Sequence, residues 1–286
     1  MEIDTDFGTL EATIPDKQKG VGIAISGGID SATLFYMLCR EIRDRELNIP
    51  VYCYIVSYCY DRGSLYNGGL VVKHMRNEFP DIKIYAQMFV TTEAIGKFKA
   101  QFAGAMYHET MRKNNWNGTE FRLWYGLTAN PPDDGSFEFK APKEWYVTRD
   151  EARDGGKIDI RGKPRYGIGA CHPFVLVDKR LIVQAVWQMG LWYCYDVITN
   201  SCTSIKEYEC GKCWWCNERA WAIKISVPKE DWSKPGEHKL IHYATAKSID
   251  KLWRDGVLWS KEAYLERQKF KKENPHLFNL DGKEKL

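Results

Sequence analysis

An α/β fold with a doubly wound, mostly parallel sheet is what this 286-residue sequence predicts, and three observations predict it. Apolar runs with β-like alternation take turns with helical stripes of about ten to fifteen residues, the pattern of βαβ units. One of these runs, Val21 to Ile25, stops at the small-residue turn Ser26-Gly27-Gly28-Ile29-Asp30-Ser31 and restarts as an apolar-periodic segment. It reads as strand, phosphate loop and helix. A hydrophobic content of 44% is enough to fill a sizeable core in a chain of this length.

Residues 1–20 show little periodicity and end in the polar Asp16-Lys17-Gln18-Lys19-Gly20, a lead-in to the first strand. After the loop, Leu34, Leu38 and Ile42 recur every four residues, which predicts an amphipathic helix to about Arg45. Val51 to Ser57 alternates as a strand, Leu70 to Phe79 suits a second helix, and Ile82 to Val90 reads as another strand. Ile95, Phe98, Phe102 and Met106 form a third helical stripe, followed by a strand from Phe121 to Leu127. Open parallel sheets bind ligands beyond the carboxyl ends of their strands, so the Ser26–Ser31 loop and the Leu127-Thr128-Ala129-Asn130 turn are both expected at that edge.

Residues 131–171 change character, opening with Pro131-Pro132-Asp133-Asp134-Gly135 and continuing polar, with many Gly and Lys. Such a long insertion is either a substrate-covering segment or a plain excursion. Regular pattern resumes at His172-Pro173-Phe174-Val175-Leu176-Val177, with a helix carrying Leu181, Ile182, Ala185, Val186 and Met189. A polar linker from Pro228 to Gly236 precedes two helical stretches at about 244–255 and 260–273. The expected organisation is an α/β nucleotide-binding domain over 1–200 with the insertion at about 131–171, a cysteine-bearing segment over 201–225, and a helical C-terminal extension over 226–286. An oligomer or partner surface is the expectation for that extension.

A formal charge of +3, with no long block of like charge, leaves a nucleic-acid partner unsupported. No apolar run approaches a membrane span and the first six residues are acidic, which together predict a cytoplasmic protein. Nine cysteines, an odd count at uneven spacing, point to thiol or metal chemistry and away from a secreted disulfide framework. Of the histidines, His74 and His108 fall on expected helices as ordinary surface or core residues, while His172, before Pro173 at a strand edge, is the one worth testing.

The small residues of the loop let backbone N–H groups approach an anion, and the first turn of the next helix adds unpaired donors and the positive end of its dipole. Neither the lysine-bearing GxxxxGK[ST] loop nor the dinucleotide GxGxxG pattern is present. The stretch SGGIDS resembles the SGGxDS loop of the N-type ATP pyrophosphatases, the PP-loop family, whose members cleave ATP between the α and β phosphates and hold the leaving pyrophosphate in this loop.

Cys202, Cys210, Cys213 and Cys216 place four thiols within fifteen residues at spacing C-x7-C-x2-C-x2-C. Two-residue spacers let successive thiolates point at one centre, and four complete the closed tetrahedral shell of structural zinc. An iron–sulfur cluster is the rival, because C-x2-C-x2-C also occurs in ferredoxin-type runs; the proline that follows the last Cys in the bacterial version is missing here. Cys39, Cys53, Cys59, Cys171 and Cys194 have no such partners and read as packing residues.

SGGIDS, then Pro173-Phe174-Val175-Leu176-Val177-Asp178-Lys179, then Ser201-Cys202 with the later Cys210-Gly211-Lys212-Cys213-Trp214-Trp215-Cys216-Asn217-Glu218-Arg219 together resemble the 7-cyano-7-deazaguanine synthases of the queuosine pathway, over roughly residues 20–224. The resemblance implies an adenylating carbon–nitrogen ligase. ATP activates 7-carboxy-7-deazaguanine, ammonia displaces AMP to give an amide, and a second adenylation leads to the nitrile. It also implies Mg²⁺ with the ATP, a structural Zn²⁺ on the four cysteines, and a homodimer. Ser26, Gly27, Gly28, Ile29, Asp30 and Ser31 would line the nucleotide, with Ser57 at the end of the second strand contacting the adenosine. Asp30 would orient the loop or hold Mg²⁺, with a plain helix N-cap as its other reading. Lys179 would neutralise phosphate charge or be a solvated helix lysine, and Arg219 would meet a carboxylate or phosphate. Where the family carries G-Y-P-D-C-R, this chain has Asn130-Pro131-Pro132-Asp133-Asp134-Gly135, so the acceptor is the open question. The alternatives are another acceptor, as in tRNA thiolation or conjugation of a deazaguanine to a protein, and a non-catalytic nucleotide-binding subunit.

Overall fold

A computed structural model describes residues 1–58, 62–91, 98–132, 134–137, 170–201 and 213–231. Asp133 and residues 138–169 of the insertion, Cys59, Ile95, Cys202, Cys210 and the two C-terminal helical stretches therefore lie outside the described residues, while the insertion's last two residues, Ala170 and Cys171, are described. Strand β3 (Gly20–Ile25) runs into helix α1 (Ile29–Asp44), then β4 (Val51–Tyr58), α2 (Arg62–Glu78), β5 (Ile84–Thr91), α3 (Phe98–Asn114), β6 (Phe121–Tyr125) and the short β7 (Ala170–Cys171). These strands form one five-stranded sheet in the order β5-β4-β3-β6-β7, and every pair in it is parallel. The chain thus builds outward from β3 to one edge, then crosses back to add β6 on the other side.

Period-2 alternation along β4 shows why the sheet is wound on both faces. Val51, Cys53 and Ile55 join Val21, Ile23 and Ile25 in the larger core under α1 and α2. Tyr54 and Val56 point the other way, into a smaller core with Ala103 and Tyr107 of α3 and Phe121 and Leu123 of β6. The larger core also takes in α4 (Lys179–Gln188), α5 (Trp192–Ile198) and α6 (Trp214–Ser226), through Leu181, Ile182, Val186, Trp192, Tyr195, Trp221 and Ala222. A 3₁₀ turn, Lys229–Asp231, is held by the indole N–H groups of Trp187 and Trp192, which donate to Asp231 Oδ2 at 2.9 Å and Asp231 O at 2.8 Å. Among the described residues no helix is long and apolar enough to cross a membrane.

Two segments differ from the sequence reading. Residues 1–20 are more than a lead-in, because β1 (Glu2–Thr5) and β2 (Gly8–Glu11) form an antiparallel hairpin in the register Glu2↔Glu11 to Thr5↔Gly8. Only Leu10 of these eight residues is buried, so period-2 burial had almost nothing to write in the sequence. The hairpin is fastened to α4 by its turn: Gln184 accepts from Asp6 N at 2.9 Å and donates to Asp6 Oδ2 at 2.6 Å. Helix α2 starts eight residues before the expected Leu70, running straight through Asn67-Gly68-Gly69. A β-carbon on Gly68 would stand 3.2 Å from Ile55 Cγ2, so the glycine that looks like a breaker is there for close helix–sheet approach.

His74, on the inner side of α2, has Nδ1 3.5 Å from Cys194 Sγ, while its buried Nε2 has no hydrogen-bond partner among the described residues. Burial pushes its pKa below the usual histidine value, with Glu78 opposing more weakly. The folded state then binds fewer protons than the unfolded chain, so stability falls as pH drops below about 6.5. Urea denaturation at pH 7.5 and 5.5 should show that loss, and His74→Phe should make it smaller.

Candidate functional site

The loop after β3 lies at the boundary with β6, where the strand order reverses and the carboxyl edge of the sheet opens into a crevice. Gly27 has φ +79°, and a β-carbon there would meet Asn67 Cβ and Gly68 N at 2.9 Å. Only glycine satisfies both the left-handed backbone and the contact with α2. Gly28, extended at φ −84°, is the N-cap of α1 and supplies no side-chain cap, so the first-turn N–H groups open towards the loop. The two serines brace the loop: Ser31 Oγ accepts from Ser26 N at 3.2 Å, lies 3.1 Å from Ser26 Oγ and donates to Gly28 O at 3.1 Å. Ser26 is exposed and Ser31 is buried.

Behind the loop stands a buried charge group. Lys179, the first residue of α4, donates its ammonium to Asp30 Oδ2, and Glu218 Oε2 of α6 lies 3.9 Å from the same nitrogen. The side chains of Lys179 and Glu218 are 4% and 1% exposed, against 18% for Asp30. Lys179 is therefore no solvated helix lysine. Asp30 Oδ1, also buried, has no hydrogen-bond partner among the described residues, and a carboxylate oxygen without such a partner in a glycine-rich loop is a donor of the kind Mg²⁺ takes. Asp178 caps α4 by accepting from Arg180 N at 2.9 Å, which fixes the start of the helix and so the root of Lys179.

Arg219, 2% exposed, donates to Thr199 O at 2.9 Å, Thr199 Oγ1 at 3.0 Å, Asp196 O at 3.1 Å and Asp196 Oδ1 at 3.0 Å. It clamps the end of α5, and two bonds further on that segment reaches the loop, where Asn200 N donates to Gly27 O at 2.8 Å. Neighbouring residues of α6 thus touch the loop's surroundings by two routes, Glu218 through Lys179 and Arg219 through residues 196–200.

The other wall is made by the chain after β6. A β-carbon on Gly126 would lie 2.8 Å from Asp30 C, Asp30 O and Ser31 N, so this strand end packs directly on the first turn of α1. The expected turn at 127–130 is at that edge, with Ala129 N donating to Val177 O at 2.7 Å. His172 stacks on Tyr125 with ring centroids 5.1 Å apart. Ser57, wholly buried near the end of β4, is also at the carboxyl edge. A cavity of about 370 Å³ opens elsewhere, at the amino ends of β4 and β5 between Pro50, Tyr52, Lys83, Tyr85 and Trp116. Parallel sheets use the carboxyl edge for ligands, and that edge is the one that carries the Ser26–Ser31 loop.

Cys213 is the N-cap of α6, with its sulfur 3.4 Å from Cys216 Sγ and 3.5 Å from Cys216 N. Two ligands of a tetrahedral zinc at about 2.3 Å stand about 3.8 Å apart, so this pair fits half of a four-sulfur centre. Cys202 and Cys210, the other half, lie outside the described residues. Of the packing cysteines, Cys39, Cys53 and Cys171 are buried, as expected.

The glycine-rich Ser26–Ser31 loop sits at the strand-order reversal, where open parallel sheets bind ligands. No family model matches the chain, and no curated protein sequence matches it. Among solved structures it is similar to the U34-tRNA thiolase NcsA from Methanococcus maripaludis with its [4Fe-4S] cluster, at 14% identity and a TM-score of 0.43, over 82% of this chain and 73% of that one.

Sequence reading found Asp30, Lys179 and Arg219 but gave no role to Glu218, Asn200, Asn67 or Gly126. Gly126, directly after an apolar strand, carried a usable signal. Glu218 carried none, since a single Glu in a helix is ordinary.

Proposed function

We propose that the chain is a PP-loop ATP-dependent ligase that adenylates 7-carboxy-7-deazaguanine and, with ammonia, forms 7-cyano-7-deazaguanine or its amide, releasing AMP and pyrophosphate. The observation that carries this reading is the SGGIDS loop at the strand-order reversal, whose Asp30 has one buried oxygen without a hydrogen-bond partner among the described residues and the other on the Lys179 ammonium. Backbone N–H groups of the loop and of the first turn of α1 bind the β and γ phosphates, and the Ser26 hydroxyl, exposed at the rim, adds a donor. Asp30 Oδ1 would be the protein oxygen for Mg²⁺, and the ion would supply neutralisation of pyrophosphate charge. Lys179 stabilises the same developing charge from beneath, and the buried setting makes that interaction stronger than it is in water. The substrate carboxylate, held across the crevice near Tyr125 and His172, is positioned to attack the α-phosphorus in line with departing pyrophosphate. Mass spectrometry of products from a panel of deazapurine carboxylates with ATP and ammonia tests the reading; a mass loss corresponding to amide or nitrile is expected, and the unchanged acid throughout the panel contradicts it.

The departure at Asn130–Gly135 favours a second reading, in which the same activation serves another acceptor such as a tRNA base or a protein amine. AMP release that needs tRNA or protein, and no deazapurine acid, would select it.

Cys213 and Cys216 would hold a structural zinc with Cys202 and Cys210, which closes the segment and leaves no open position for chemistry. Cys213→Ser is expected to lose at least half of the bound zinc by elemental analysis and to lower the melting temperature by roughly 5 °C or more, because structural metal binding is folding free energy. A brown, iron-containing preparation would replace zinc with a cluster.

A further inference from the structure

Lys179 is shared by two carboxylates that come from different parts of the chain and differ in access. Asp30 belongs to the loop, is partly exposed and makes the close contact. Glu218 belongs to α6, is sealed from solvent and stands 3.9 Å off, beyond hydrogen-bond length but well inside the range of a buried charge interaction. Buried ammonium groups lose their charge or collapse onto the nearest anion when counter-charge is missing. If Asp30 were the one counter-charge, a cation arriving at Asp30 would strand the lysine beneath the loop. Arg219, the next residue, is anchored by four hydrogen bonds to Thr199 and Asp196, so the position of Glu218 on α6 is fixed.

Resting on the phosphate reading of the loop, we propose that Glu218 is a positioning residue for Lys179: it holds the ammonium beside the loop, where it can face pyrophosphate oxygens, while a phosphate-bound cation engages Asp30. Glu218 itself touches no substrate.

Charge alone and positioning predict opposite signs. Removing a carboxylate near an anion site should tighten ATP binding if only the net potential matters. If Glu218 positions Lys179, Glu218→Gln leaves Asp30 as the one carboxylate shown against the lysine, so a cation that engages Asp30 strands the ammonium and Mg·ATP binding weakens.

Titration calorimetry of the full chain with Mg·ATP reads the sign. Glu218→Gln is expected to bind about tenfold more weakly than wild type, the worth of one charge-assisted contact, and Glu218→Asp is expected to recover part of the loss. In a Lys179→Met background the Glu218→Gln change should cost nothing further. That double variant has no buried charge from either residue and is the one expected to fold if Glu218→Gln alone does not. Binding by Glu218→Gln that equals or exceeds wild type overturns the proposal, as does an undiminished effect in the Lys179→Met background. Wild type that binds no Mg·ATP overturns the phosphate reading together with the proposal, whereas wild-type binding with an indifferent Glu218→Gln overturns the proposal alone.

Discussion

Asp30→Ala is expected to abolish pyrophosphate release, by about a thousandfold or more, and to destabilise the protein at the same time. Activity is lost because the open oxygen for Mg²⁺ and the front partner of Lys179 disappear together. Stability is lost because removing one partner of a buried ion pair leaves the other charge uncompensated, typically costing about 3–5 kcal/mol. Glu218, still nearby, softens this towards the lower end. The burial of Lys179 is what makes the substitution costly for the fold as well as for activity. Thermal unfolding alongside a pyrophosphate-release assay separates the two effects, and a triple change, Asp30→Ala with Lys179→Met and Glu218→Gln, which leaves none of the three charges in place, should regain much of the stability while remaining inactive. Wild-type turnover in Asp30→Ala would remove Asp30 from the mechanism.

Gly126→Ala is expected to damage both fold and binding, although it adds a single methyl group. The added carbon would stand 2.8 Å from three backbone atoms of Asp30 and Ser31, none of which is a flexible side-chain end. Either the end of β6 or the first turn of α1 must move, and both define the crevice. Overpacking of this kind costs about 1–3 kcal/mol, and displacement of the α1 N–H groups should weaken Mg·ATP binding by roughly tenfold or more. Gly118→Ala, whose β-carbon would meet one ordinary contact at 3.9 Å, is the matched control, expected to bind ATP as wild type does. Equal affinity in the two variants would contradict the close packing of this strand end on the loop.

The parts of the fold legible in the sequence are those whose burial is periodic. Helix α1 was bounded to within a residue because Leu34, Leu38 and Ile42 repeat at helical spacing after an abrupt glycine turn. Strands β4 and β5 were legible from alternation, since each faces a core on both sides. The β1–β2 hairpin was illegible because it buries one residue, and the first turns of α2 were hidden behind Gly68, whose purpose is contact with Ile55 and shows only in three dimensions. In the site, Asp30 and Lys179 were found through motif resemblance, but their pairing spans 149 residues and has no local signal. Arg219 was expected to meet a carboxylate or phosphate; it pairs with the Asp196 carboxylate and bonds Thr199, which gives it a part in shaping the segment beside Gly27. Helix α5, short and rich in aromatics, offered no periodic stripe by which to be noticed.

Displacement of bound ATP by inorganic pyrophosphate tests the central claim most directly, because it needs no knowledge of the acceptor. With Mg²⁺ present, radiolabelled ATP should bind the wild-type chain and be displaced competitively by pyrophosphate, far more effectively than by orthophosphate. Failure to bind ATP, or binding that pyrophosphate leaves untouched, would show that SGGIDS is a structural turn and not the cradle of a leaving pyrophosphate.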